Sequence, residues 1–345
     1  MSGSGRFAIL IIVVVLTYSI PLVGQEKFRV MFYNTENMYD IKDNPDTNDD
    51  DLTPKGQLHW TKYRYWKKLN NIGKVIASVG DDYPPALVGI CEVENDSVLF
   101  DLTRRSNLKE HKYEYIITHS KDDRGSNVAL LYQRDQMKVI SRNSYTPVLS
   151  DPDKNTRDIL HITGRVVNNE LLDIFICHFP SRRDGIRKTR PDRIKCAELL
   201  KQKTDSILRI RKKANIIIMG DFNDYPYDIS IKETLAAQSI ESPISDKKLY
   251  NMFLDKAIKK ESGSYKYRGK WNYIDQFIVN GKLLGNSSKV KIKNKEAHVF
   301  SEDFLLHEDS QKYGGLKPFR TYLGFKYLGG YSDHLPIYMD LIIKN

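Results

Sequence analysis

The sequence predicts an α/β protein in which two β-sheets pack face to face with helices on the outside. Three observations lead there. Short apolar runs of buried-strand character occur in both halves of the chain. Two stretches with apolar residues at three- and four-residue spacing lie between them, and no fixed period marks a solenoid or propeller. The 345 residues are compatible with one large domain. Hydrophobic residues make up 40% and charged residues 28%, which excludes a disordered tail, collagen or a coiled coil.

The elements follow in order. Phe28 to Tyr33 has strand composition and ends on the polar Asn34-Thr-Glu36-Asn37. An acidic loop follows from Asp40 to Asp51, without the glycine and terminal glutamate spacing of an EF-hand, so it reads as a solvated loop. Trp66, Leu69, Ile72, Val75, Ile76 and Val79 then form the apolar stripe of a helix, stopped by Asp81-Asp82-Tyr83-Pro84-Pro85. Ala86 to Cys91 is a buried-type strand ending on Glu92 and Glu94, and further strands are expected at 113–118, 128–132, 159–167 and 171–177. A second helix spans 192–211, and the run 215–219 after it is a strand ending on Gly220-Asp221-Phe222-Asn223. Strands at 273–279 and 335–343 complete the set, with the polar segment 281–330 read as an insertion before the last strand.

The N-terminus carries an apolar run, Phe7 to Leu16, behind Arg6, followed by Gly24 and a polar stretch. Its length is short of the roughly 20 residues of a membrane span, so residues 1–24 are expected to be a cleaved signal peptide, with 25–345 as the exported, periplasmic or secreted domain. An uncleaved anchor is the alternative. No other run is long enough to span a bilayer. Cys91, Cys177 and Cys196 are too few and too scattered for a disulfide framework or a thiolate metal site. The formal charge of +10 favours polyanionic partners without choosing among nucleic acids, anionic lipids and other polymers.

Five apolar runs or their adjoining loops end on polar residues: Asn34, Glu92, His178, Asp221 with Asn223, and Asp333 with His334. Strand ends gathered at one rim are a rigid place for a site, although each residue alone reads more simply as an ordinary edge or core residue. In order, Asn34-Thr35-Glu36, Ile90-Cys91-Glu92-Val93, Cys177-His178-Phe179-Pro180-Ser181, Gly220-Asp221-Phe222-Asn223, Tyr273-Ile274-Asp275 and Ser332-Asp333-His334 resemble the motifs of the endonuclease/exonuclease/phosphatase superfamily.

That resemblance runs from about residue 28 to the C-terminus and implies a four-layered α/β sandwich that hydrolyses a phosphoester with a divalent metal. Magnesium, a hard cation, suits carboxylate and carbonyl oxygens, with manganese as its substitute and calcium left open as a second ion. The expected ligands are Glu92 first, Asn34 beside it and Asp333 as a second carboxylate. The resemblance further implies Asp221 as the group that orients the attacking water and Asn223 as an uncharged phosphate donor. His334, held by Asp275, is expected to contact a phosphoryl oxygen, and His178 to supply another donor. In the pancreatic deoxyribonuclease branch a glutamate supports that histidine, and the segment Arg124 to Val128 offers no carboxylate there.

Six basic residues between Arg182 and Arg193 follow His178, with Arg182 and Arg183 preferred as phosphate clamps; Arg320 in the late insertion is a third substrate contact. Trp60 and Tyr63 are candidates to stack on bases, and Trp66 reads as core. The expected partner is a phosphoester, with nucleic acid first and a phospholipid or inositol phosphate as the alternative. A non-catalytic binding module is the third reading.

Overall fold

In the computed structural model, residues 28–260 and 262–344 are described; the leader read at 1–24 lies outside them. Two seven-stranded sheets form the centre. The first contains β1 (Phe28–Met38), β2 (Leu87–Val93), β3 (Glu114–Ile117) and β4 (Asn127–Tyr132). From one edge it runs Val290–Ile292, Ile337–Ile343, β1, β2, β4, β3, with His298–Val299 also paired to Ile337–Ile343. The second runs β5 (Met137–Tyr145), β6 (Ile159–Val166), β7 (Leu171–His178), β8 (Ile216–Asp221), then Asp275–Asn280, Leu249–Asn251 and Gln238–Ser239. Both sheets are mixed: β1 and β2 are parallel, as are β7 and β8, while β2 and β4 are antiparallel.

Apolar residues on both faces of the central strands produce three packed layers of side chains. Val30, Phe32, Leu87 and Leu130 from the first sheet meet Ile162, Ile174, Ile217 and Phe277 from the second. On the outer face of the first sheet, Met31, Tyr33, Val88 and Ile90 pack on Leu69, Ile72 and Ile76 of helix α1 (Lys62–Gly80). On the outer face of the second, Phe175, Ile216 and Ile218 pack on Cys196, Ala197 and Leu200 of helix α2 (Ile186–Ile210). The result is the expected helix–sheet–sheet–helix sandwich. Gly89 leaves room for the facing sheet, since a Cβ there would stand 2.8 Å from Met219 Sδ. No helix among the described residues is long and apolar enough to cross a membrane.

Three local differences from the sequence reading have physical causes. Helix α2 begins at Ile186, six residues before the expected start, and carries Pro191 inside it. Proline lacks the N–H for one helical bond, so the helix gives up the bond to the Arg187 carbonyl and continues past it. Strand β5 went unread because it is an edge strand whose middle faces solvent at Lys138, Arg142 and Asn143. Trp60 is buried, with Nε1 donating to Tyr39 O at 3.0 Å, so it is core rather than a stacking platform. Tyr63 is exposed and Trp66 half-buried. The segment 281–330 supplies the two short strands beside Ile337–Ile343 and two hairpins, Leu306–Glu308 with Leu316–Pro318 and Tyr322–Leu323 with Lys326–Tyr327.

Candidate active site

The strand ends named above converge. Asn34 lies opposite Cys91 in the β1–β2 ladder, His178 opposite Asp221 in β7–β8, and Asp275 opposite Asp221 in the next pairing. The β1–β2 register breaks between Asn34 and Met38, and the β2–β4 register breaks around Glu92. Glu36, Asn37, Glu92 and Asn223 all have positive φ, from 49° to 59°. Such left-handed backbone costs about 1–3 kcal/mol per residue and re-aims the side chains at the sheet rim. His334 is fixed through Ser332, whose Oγ donates to Asn34 O at 2.7 Å and accepts the His334 N–H at 3.1 Å.

At the centre, Asn34 Nδ2 lies 3.0 Å from Asp221 Oδ2, 3.4 Å from Glu92 Oε1 and 3.5 Å from His334 Nε2. The Glu36 N–H donates to Asn34 Oδ1 at 3.0 Å, which fixes the amide with its nitrogen facing the carboxylates. Glu92 Oε2 accepts the Asn37 N–H at 3.0 Å. His178 Nε2 is 3.7 Å from Asp221 Oδ2 and 3.8 Å from Glu92 Oε1, while its Nδ1 is buried without a hydrogen-bond partner. On the other side, His334 Nδ1 and Ser264 Oγ donate to Asp275 Oδ2 at 2.7 and 2.6 Å. The Tyr265 ring lies tilted over His334, with centroids 4.8 Å apart.

These contacts sort the titratable groups. Burial raises the Asp221 carboxyl, and the Asp275 charge adds to it, bringing it to about 7. Burial opposes the charge of His334, but the attraction and hydrogen bond of Asp275 prevail and hold the imidazolium to about 10. His178 moves the other way, well below its ordinary value, because it is buried and faces the positive charges of Arg157 and Arg124. Among the described residues, no carboxylate lies within hydrogen-bond reach of His178 Nδ1. Burial also pushes the Cys91 and Cys177 thiols well above their usual range, so neither is an activated nucleophile.

Some expected contacts are engaged differently. Asp333 Oδ2 accepts from Arg320 Nη2 at 3.0 Å, which ties up the carboxylate read as a second metal ligand. Asn34 turns its amide nitrogen, not its oxygen, toward Glu92 and Asp221. Asn223 donates its backbone N–H to Asp221 Oδ1 and its Nδ2 to Phe179 O, so it braces two strand ends. Arg182 is not a free clamp: its guanidinium pairs with Asp224 and Asp228 and stacks 4.2 Å over Tyr225. Arg183 is exposed. Asp221, Asp275 and His334 each offer a ligand atom within 4.8 Å of the others, a cluster able to hold a metal ion. The sequence reading missed Ser264 and Tyr265, which lie in a polar stretch without a strand signal.

A profile of the endonuclease/exonuclease/phosphatase family matches residues 29–343. The chain belongs to that family. Its fold is shared with the mannosyl-6-phosphatase of Bacteroides thetaiotaomicron VPI-5482, at 16% identity over 92% of this chain and 100% of that one, TM-score 0.56. It is shared with D. rerio TDP2 complexed with single-strand DNA product, at 12% identity over 92% and 99%, TM-score 0.54. The human Nocturnin catalytic domain with bound sulfate is similar at 15% identity over 91% and 94%, TM-score 0.52. A search of curated proteins gives no match. The family is one of divalent-metal-dependent phosphoester hydrolases, and the arrangement of carboxylates and imidazoles here is of that kind.

Proposed function

We propose that the protein is an exported, magnesium-dependent phosphoester hydrolase acting on the nucleic-acid backbone. The observation that carries the chemistry is the position of Asn34 Nδ2, within 3.5 Å of groups from Glu92, Asp221 and His334, the last 300 residues away in sequence. Export rests on the leader read from residues 1–24.

The donor set fits a hard cation. Glu92 Oε1 and Asp221 Oδ2 approach the same amide nitrogen, and the neutral His178 between them does not neutralise either. The pair His334–Asp275 is already joined by its own hydrogen bond and Asp221 is kept for the attacking water, which leaves Glu92 as the principal holder of magnesium. Bound there, the ion supplies polarisation of the phosphoryl oxygen and relief of charge on the leaving oxygen. The imidazolium of His334, kept charged by Asp275, donates from Nε2 to a non-bridging oxygen. Asp221 Oδ2 accepts a proton from the attacking water, and a carboxyl near 7 is in the useful range for that transfer. Asn34 Nδ2 and His178 Nε2 donate to the remaining oxygens.

Exposed Arg183, Arg187 and Lys188 support a polymeric substrate. The capture of Arg182 by Asp224 and Asp228 favours a second reading, a small phosphate ester that needs no flanking clamp. The test is turnover with magnesium or EDTA on plasmid DNA, RNA, sphingomyelin, phosphoinositides and simple phosphate esters. Magnesium-dependent DNA cleavage inhibited by nonhydrolysable DNA is expected. Preference for a simple ester, unaffected by that DNA, selects the second reading. No turnover on any substrate leaves a binding module.

A further inference from the structure

Residues 319–333 cross the rim of the site as a strap, and a buried ion pair holds it. Glu36 lies at the bulge of β1, two residues past Asn34, with φ 49°. Its carboxylate is buried and receives two consecutive strap N–H groups, Thr321 to Oε2 at 2.6 Å and Tyr322 to Oε1 at 3.3 Å. Lys68 of α1, also buried, donates to Thr321 Oγ1 at 2.6 Å and to Tyr331 O at 2.5 Å, with Nζ 3.9 Å from Glu36 Oε2. Asn71 Nδ2 adds contacts to Gly329 O and Gly330 O at 3.3 and 2.8 Å.

Arg320 is the residue this clamp delivers. Its Nε lies 3.5 Å from Glu36 Oε1 and its Nη2 3.0 Å from Asp333 Oδ2, and Asp333 Oδ1 in turn is 4.0 Å from His334 Nε2. With 32% of its side chain exposed, the guanidinium is partly open to solvent, and Asp333 links it to the imidazole. Burying a carboxylate and an ammonium costs several kcal/mol per ion, and a surface loop needing only to be ordered could be held by main-chain turns. Here the charges are placed where they fix both the height of the strap and the direction of one arginine fork.

We propose that Glu36, braced by Lys68, is a positioning residue that sets Arg320 to bind a non-bridging phosphoryl oxygen of the substrate beside His334. This rests on the phosphoester-hydrolase reading for its substrate, but the anion contact can be measured without turnover. Glu36→Gln keeps the shape and one acceptor but turns an amide N–H toward a strap donor or Arg320, which loosens the fork.

The experiment is calorimetric titration of inorganic phosphate into the full domain with magnesium present, alongside kcat and KM on the best ester. Wild type, Glu36→Gln, Arg320→Ala and the double variant are compared. Each single change is expected to weaken phosphate binding and raise KM about tenfold or more, the loss of one hydrogen bond to a charged group, with kcat little changed. The double variant is expected to match Arg320→Ala alone. Multiplying effects, or phosphate binding untouched by Glu36→Gln, overturn the proposal. If Glu36→Gln does not fold, Thr321→Val, which removes one Lys68 contact, decides in its place: weaker phosphate binding only when Arg320 is present supports the role, and no change refutes it. Absence of ester turnover in the wild type defeats the functional reading instead, while the phosphate titration still reports on the strap.

Discussion

His334 Nδ1 lies 2.7 Å from Asp275 Oδ2, and this bond sets the charge of the imidazole that faces Asn34 and Asp221. The folded-state value of about 10 lies above the ordinary 6.5, so the pair contributes its full stability below about pH 6.5 and loses it as the pH rises through about 10. In Asp275→Asn the ring should titrate at much lower pH, followed by NMR of the metal-free protein. Its unfolding free energy near pH 7 should fall by about 3 kcal/mol, the scale for breaking a buried pair. Unchanged titration of His334 would refute this account.

His178 carries the opposite sign. Its folded value is depressed by burial and by Arg157 and Arg124, so the native state resists protonation and stability falls as the pH drops below about 6.5. His178→Gln should flatten that acid-side loss in urea unfolding of the metal-free protein between pH 5 and 7. A variant with the same acid slope as the wild type would mean that the histidine is protonated in place.

Arg182 and Arg183 are neighbours with different work. Arg182→Ala takes a partner from Asp224 and Asp228, but Arg193 Nε remains 2.7 Å from Asp224 Oδ1, so the expected loss is about 1–3 kcal/mol of stability. Arg183→Ala should leave the denaturation midpoint unchanged and raise KM for DNA, steepest at low salt. Equal stability loss in both variants would count against this division.

Much of the fold and of the site's rim is legible in the sequence. Runs such as Leu87–Val93 and Ile216–Asp221 are apolar on both faces and carry a carboxylate, Glu92 or Asp221, at or next to their last residue, so both the strand and the chemical group at its rim show in the sequence. Edge strand Met137–Tyr145 did not show, because its exposed middle lacks that contrast. The clamp on the strap was equally hidden. Glu36 was visible as part of a motif, but its partner Thr321 is 285 residues away and Lys68 lies 253 residues from the same threonine. Only packing brings them together, and no local period encodes it. Arg182 failed as a free clamp for a related reason: charge along a chain does not reveal which carboxylates fold back onto it.

The metal assignment divides two carboxylates that the sequence offers together, Glu92 first and Asp333 second. Glu92 Oε1 points at the central amide nitrogen at 3.4 Å, whereas Asp333 Oδ2 is engaged by Arg320 at 3.0 Å. A ligand that binds only the native state stabilises it by about 2.7 kcal/mol at a hundredfold excess over Kd. Magnesium added to EDTA-treated protein should therefore raise the unfolding temperature. Glu92→Gln replaces a hard anionic donor with a neutral amide and should abolish most of that rise. Asp333→Asn should keep it, because its partner is a guanidinium rather than the ion. Loss of the magnesium response in Asp333→Asn, with retention in Glu92→Gln, would move the cation to the other side of His334.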